Sequence, residues 1–232
     1  MATSSTHPAA VALLRNVPYD PASSFTAITL IGSTPYILVG GPAARAATLP
    51  EFIAQVRANP GTVNYASVGT TTLGYLLTRQ FEALAGLRMT HVPYRGSAQV
   101  YPDLINGTVA VLLDNPTGSA GLIREGRLRA FAVTQPSSAL PEVPTFESLG
   151  VRGFDAAFWY GLVAPAGLPP AIAQRMQQEV ARHFTGTPEG RAELTGKDVT
   201  PVASTPEAFA RVIAEDTARW RELAQRLGIQ PE

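Results

Sequence analysis

The sequence predicts an α/β fold with mostly parallel sheets. Three observations carry this. Apolar runs alternate with helical patterns from about residue 25 onward. Runs such as VAVLLD (109–114) and LRAFAV (128–133) are apolar almost throughout, which marks strands covered on both faces by crossover helices. Helix start and stop signals bracket the stretches between them.

Residues 25–31 and 36–39 read as strands. TLPEFIAQVRANPG (48–61) reads as a helix: Thr48 and Glu51 have capping-box spacing and Pro50 lies in the first turn. Phe52, Ile53 and Val56 share one face, and Asn59-Pro60-Gly61 stops the helix. A strand at 63–66 and a helix at 73–84 follow. Residues 89–92 form a short strand ending in PYRGS (93–97). A helix within 97–106 carries Val100, Leu104 and Ile105. Pro102 is deep for a helix starting at Ser97, which lets the start slip to Tyr101. Residues 109–113 form a strand ending in Asp114-Asn115, then come a helix near 117–125 and a strand at 128–133. Residues 135–155 are Pro-rich and irregular, with a short helix at most. Residues 158–163 form a strand closed by APAGLPP (164–170). Two longer helices end the chain. In the first, Ile172, Met176, Val180 and Phe184 recur every fourth residue. The second starts at Ser204-Thr205-Pro206-Glu207, buries Phe209, Val212, Ile213, Trp220, Leu223 and Leu227, and stops at Gly228.

At 232 residues the chain can form one large domain or two small lobes. Lys+Arg and Asp+Glu balance at 18 each, which argues against nucleic acid or an anionic membrane as partner. The single lysine, Lys197, lies in a polar loop. Cysteine is absent, so disulfides, thiolate metal sites and a cysteine nucleophile are excluded. No run approaches the roughly 18 to 20 apolar residues that span a bilayer. The opening MATSSTHPAAVALLRN lacks a basic segment followed by a long apolar stretch and does not read as a secretory signal.

The chemistry concentrates in three turns, each after a strand and before a helix: 67–72, 94–97 and 114–119. All are rich in Gly, Ser, Thr and Asn. Ligands of parallel α/β sheets bind outside the carboxyl ends of the strands. Helix N-termini there present unpaired N–H groups and the positive end of the helix dipole. Two readings stand. Ser67, Thr70, Thr71, Thr72 and Ser97 hold an anion, or the same residues cap helices with no ligand.

Enzyme signatures are lacking. A phosphate-cradling loop needs Lys and then Ser/Thr after its second Gly, whereas Tyr75 follows Gly74. Gly118-Ser119-Ala120-Gly121 misses the spacing of a nucleophile elbow. His7, His91 and His183 are far apart with no metal-ligand spacing, and His91 reads as a structural histidine inside a strand. Asp114, at a strand end, is the best lone carboxylate, whether catalytic, capping or accepting from a ligand. Trp159 and Tyr160 in AFWYGLVAP are either core or pocket lining.

Several separated stretches, in order, resemble one family: NVPYDPASSFTAITLIG (16–32), GTVNYASVGTTTLG (61–74), MTHVPYRGSAQVYPDLINGTVAVLLDN (89–115), LRAFAVT (128–134), LPEVPTFESLGVRGFDAAFWYGLVAPAGLP (140–169) and TPEAFARVIAEDTARWRELAQRLGIQPE (205–232). They are similar to the substrate-binding proteins of tripartite tricarboxylate transporters, the Bug/TctC family, from about Thr3 to Glu232. The resemblance implies a fold like type II periplasmic binding proteins: two α/β lobes, joined by crossing strands, close on a small organic carboxylate. The first lobe would comprise residues 1–32 and 157–232, and the second 33–156. It implies a periplasmic receptor serving membrane transporter subunits, without cofactor, catalysis, nucleic acid or direct membrane insertion. Carried over by motif, the ligand-binding residues are Ser67, Gly69, Thr70 and Thr71 in YASVGTTT, Gly96 and Ser97 in YRGS, and Asp114 in LLDN, accepting a hydrogen bond from the ligand. ATSSTH adds Ser4, Ser5 and Thr6, and Trp159 completes the set. Thr70-Thr71-Thr72 stands where relatives often carry Asn, Gly and Ser, so the donor set differs. Family members begin with a secretion signal and a strand ending in a Pro-Phe-rich, Gly-Gly turn. The sequence shows neither, so a first lobe incomplete at its N-terminus is expected, with a bare sheet edge, exposed apolar surface and weakened binding. A sensory binding module and an enzyme acting on an acyl or carboxylate substrate are the rival functions.

Overall fold

In a computed structural model describing residues 1–232, the chain opens with β1 (Ala2–Thr3), α1 (Ala10–Leu13) and the long β2 (Phe25–Pro35). Then come β3 (Ile37–Gly40), α2 (Leu49–Ala58), β4 (Asn64–Ser67), α3 (Leu73–Ala85), β5 (Thr90–Pro93), α4 (Ser97–Asn106), β6 (Val111–Asp114), α5 (Pro116–Arg124) and β7 (Arg129–Val133). β8 (Ala157–Pro165), α6 (Pro170–Phe184), α7 (Pro188–Thr195), β9 (Thr200–Pro201) and α8 (Pro206–Arg226) complete it. Two compact units result, Met1–Thr34 with Phe158–Glu232 and Pro35–Ala157. The chain passes between them at the end of β2 and the start of β8.

The first unit has a four-stranded sheet of order β1-β8-β2-β9. Its edges are two-residue strands: Ala2 opposes Gly161 and Gly32 opposes Pro201, both antiparallel. Trp159, Leu30 and Ala2 pack against Phe209 and Ile213 of α8. Gly161 lets the Phe209 ring lie on the sheet, because a Cβ there would sit 2.1 Å from it. The C-terminal tail is tied to α1: Glu232 N–H donates to the Leu13 carbonyl (3.0 Å), and Arg15 N–H to the Glu232 carbonyl (2.8 Å).

The second unit has a five-stranded sheet of order β5-β4-β6-β3-β7. β5, β4 and β6 are mutually parallel. β3 is wedged antiparallel between β6 and β7, so this sheet is mixed and not mostly parallel. The reason is physical: a near-continuous apolar run reports burial on both faces, and all four residues of β3 are buried, but burial carries no strand direction. Val39, Ala66, Leu104, Leu112 and Val133 form one core cluster. Phe81, Phe146 and Phe154 form an aromatic group with centroids 4.6 to 6.0 Å apart, Phe146 meeting both others edge-on.

Local signals explain most helix starts. Thr48 Oγ1 accepts from Glu51 N–H (3.4 Å), while the Glu51 carboxylate reaches one residue past the capping-box position, to Ala47 N–H (2.7 Å). Four expectations fail. α4 starts at Ser97 with Pro102 inside. It tolerates the missing N–H because Val100 and Leu104 on the same helix are fully buried. The stretch between β7 and β8, by contrast, is irregular as its prolines imply, and it adds only a parallel bridge between Val133 and Thr145. α7 lacks an apolar stripe that would announce it, since PEGRAELT offers only Leu194. The α6 stripe is not core: Ile172 and Met176 are 48% and 37% exposed, and Ala173 is the residue the helix buries. In α8, Val212 and Leu227 are only partly buried.

Candidate functional site

β5, β4 and β6 are parallel neighbours, so their carboxyl ends and the N-termini of α4, α3 and α5 that follow them meet on one edge of the second unit's sheet. Seven of the residues singled out in the sequence, Ser67, Gly69, Thr70, Thr71, Gly96, Ser97 and Asp114, belong to this edge.

In the first turn the hydroxyls divide by role. Ser67 is 2% exposed. Its Oγ accepts from Gly69 N–H (3.2 Å) and shares a 2.6 Å hydrogen bond with His91 Nε2. Thr72 Oγ1 accepts from Tyr75 N–H (3.4 Å), capping α3, and donates to the Gly69 carbonyl (2.8 Å). Gly69 adopts φ +116°, which a side chain would disfavour. Ser67 and Thr72 therefore hold the turn in shape, and Thr70 and Thr71 lie between them, partly exposed. Tyr94 N–H donates to the Ser67 carbonyl (2.8 Å), tying the second turn to the first. Gly96 has open space where a Cβ would stand, and Ser97 begins α4. The Tyr94 phenol donates to Asp103 (2.6 Å) and is pushed up to about 12, chiefly by burial.

Asp114 ends β6 and is 8% exposed. Tyr101 donates its phenol proton to Asp114 Oδ2 (2.6 Å), and Ser97 is in hydrogen-bonding reach of that phenol. Gly118 leaves the room this requires, since a Cβ there would lie 2.1 Å from Tyr101 Oη. Burial raises the Asp114 carboxyl to about 6, outweighing the Tyr101 and Asn115 hydrogen bonds; no charged side chain contributes.

The other expected residues lie in the first unit. Ser4 is buried and tied to Trp159 in both directions: Ser4 N–H donates to the Trp159 carbonyl (3.2 Å) and Trp159 N–H to Ser4 Oγ (3.4 Å). Thr6 N–H donates to Thr3 Oγ1 (3.1 Å). Thr6 is exposed and Ser5 partly so. Trp159 is a core residue: it is 3% exposed, sits edge-on to Phe209 at 5.2 Å, and donates its indole proton to Asp216 Oδ2 (2.7 Å). Of the two readings of Trp159 from the sequence, its burial and its engaged indole donor agree with the core one.

Residue patterning missed the parts played by Tyr101 and Gly118, and it read His91 as structural without finding its partner, Ser67. Ser97 and Tyr101 are four apart on one helix, which puts them on a common face; that was the available signal for Tyr101. The Ser67–His91 contact joins different strands and leaves no local mark. It has nucleophile–base distance, yet Ser67 is buried and already bonded to Gly69 N–H, which denies it the access a nucleophile needs. No group of three or more His, Asp or Glu side chains gathers to hold a metal, and no helix is long and apolar enough to cross a membrane. A cavity of about 860 Å³ lined by Gly40, Arg45, Arg127 and Arg129 lies at the opposite end of the same sheet, away from these turns.

Residues 1–229 match the family described as tripartite tricarboxylate transporter family receptor. The chain is 31% identical over 233 residues to protein BugT of Bordetella pertussis, covering 97% of this chain and 70% of BugT. It spans 62% to 64% of three further curated relatives. Among solved structures, it superposes on R. palustris Rpa4515 with adipate at TM-score 0.88 and 30% identity, covering 100% of this chain and 78% of that one. It superposes on MatC from Rhodopseudomonas palustris with bound malate at TM-score 0.84 and 27% identity, covering 96% and 77%.

Proposed function

The chain belongs to the tripartite tricarboxylate transporter receptor family, and on that premise we propose that it is a solute-binding receptor for a small organic carboxylate. The observation that carries the reading is the gathering of three uncharged, hydroxyl- and glycine-rich strand-to-helix turns on one sheet edge. Amide and hydroxyl donors from Thr70, Thr71, Gly96 and Ser97 offer a carboxylate charge-assisted hydrogen bonds of about 1.5 to 3 kcal/mol each, without a buried cation. Adipate and malate in the two structural neighbours are ligands of that chemical kind. The work of such a receptor is capture and delivery to membrane-bound transporter subunits, with no chemical step on the ligand. The periplasm is its place of action, as for its neighbours.

Isothermal titration with adipate and malate tests this. Saturable binding of at least one is expected, weakened roughly tenfold or more by Thr71→Val, which removes a hydroxyl at constant shape. No heat with either ligand, under conditions where the protein is folded, overturns the reading.

A further inference from the structure

Asp114 stands out at an edge otherwise suited to anions. A carboxylate beside a bound carboxylate repels it unless a cation intervenes or one of the two carries a proton. No cation intervenes. From α4 the carboxyl faces the Tyr101 phenol, which the Ser97 hydroxyl in turn reaches, and from α5 it faces Gly118. Ile37 of β3 is its partner across the sheet, and Gly74 of α3 packs on the preceding Leu113 carbonyl. The titratable groups of the surrounding elements are engaged elsewhere: Asp103 with Tyr94, Arg79 with Glu82 and His91 with Ser67. Arg95 is exposed.

We propose that Asp114 is a selectivity group that enters the complex as the neutral acid, so that a dicarboxylate binds together with one proton taken from solvent. This rests on the carboxylate reading above. The Tyr101 phenol occupies Oδ2 as a donor, so the proton resides on the other oxygen and serves as a donor to the ligand. The direction in which burial already moves this carboxyl, to about 6, makes uptake near neutral pH inexpensive. Binding with Asp114 still ionised, its carboxylate accepting from a donor on the ligand such as the malate hydroxyl, is the competing outcome.

Adipate and malate are titrated into the full chain between pH 6.5 and 8.5, where both ligands are fully ionised. Whichever binds is expected to weaken about tenfold per pH unit, about a hundredfold across the window. The heat should differ between phosphate and Tris buffers by the ionisation of one proton. Asp114→Asn, an isostere of the neutral acid that keeps a donor, is expected to bind at pH 8.5 as tightly as the wild type does at pH 6.5, with a flat profile. Binding by the wild type with a flat profile and no buffer-dependent heat overturns the proposal, as does an Asp114→Asn protein that is folded yet binds more weakly at pH 8.5. If the variant does not fold, the wild-type profile and buffer heats decide. No binding of either ligand at pH 6.5 removes the receptor reading itself, a different result from a flat profile.

Discussion

Asp114 and Asp216 are both buried carboxylates, and they answer burial differently. Asp216 has the Trp159 indole proton and the nearby Arg219 charge to offset its desolvation. Asp114 has a phenol and a backbone amide only. The folded Asp114 carboxyl keeps its proton up to about pH 6, the unfolded one only to about pH 4. Between these values the folded state binds more protons, so this residue's contribution to stability falls as pH rises and stays low above pH 6. Asp114→Asn is therefore expected to be more stable than the wild type at pH 8 by about 3 kcal/mol, and to lose that advantage below about pH 4; urea denaturation at the two pH values measures it. Tyr101→Phe removes a bond that holds the carboxyl down, so the Asp114 titration followed by carbon NMR moves to higher pH. Trp159→Phe leaves a buried carboxylate without its indole donor and should cost about 1 to 3 kcal/mol at neutral pH, read from the same denaturation curves.

At the scale of elements, end signals matter more than composition. Thr48, Thr72, Thr187 and Thr205 each accept from the N–H three residues on and start α2, α3, α7 and α8. Thr205→Ala should cost about 1 kcal/mol, visible as a lowered denaturation midpoint. Pro102→Ala restores an N–H to the interior of α4 and should stabilise by about 1 to 3 kcal/mol, measured by thermal melting. These elements also mark what is readable from residue order. α2 is legible from Thr48, Pro50 and Asn59-Pro60-Gly61 because caps and breakers act within a few residues. The three site turns are legible for the same reason: strand, glycine, hydroxyl and helix succeed one another locally. The direction of β3 is not, because it depends on which neighbours a buried strand finds. The α6 stripe misleads because a period near four fits a helix whichever face it buries, and the contact of Gln177 with the Ala203 carbonyl, which helps to orient α6, is long-range. Tyr101–Asp114 escapes notice because α4 and β6 must first be packed side by side.

For the molecule as a whole, the second unit is one unbroken stretch, Pro35–Ala157, with its own sheet and core clusters. Expressed alone, residues 35–157 are expected to unfold in a single cooperative transition with dispersed amide resonances; a collapsed, non-cooperative species would show that the core depends on the rest of the chain. The first unit is assembled from two segments far apart in sequence, and its contacts include Glu232 with Leu13 and Arg15. Those unequal connectivities set a timetable on the ribosome. The turns that bear Thr70, Ser97 and Asp114 can reach their finished form while α6, α7 and α8 are still being translated. The opening thirty-odd residues must wait until Glu232 has been added before that partner exists.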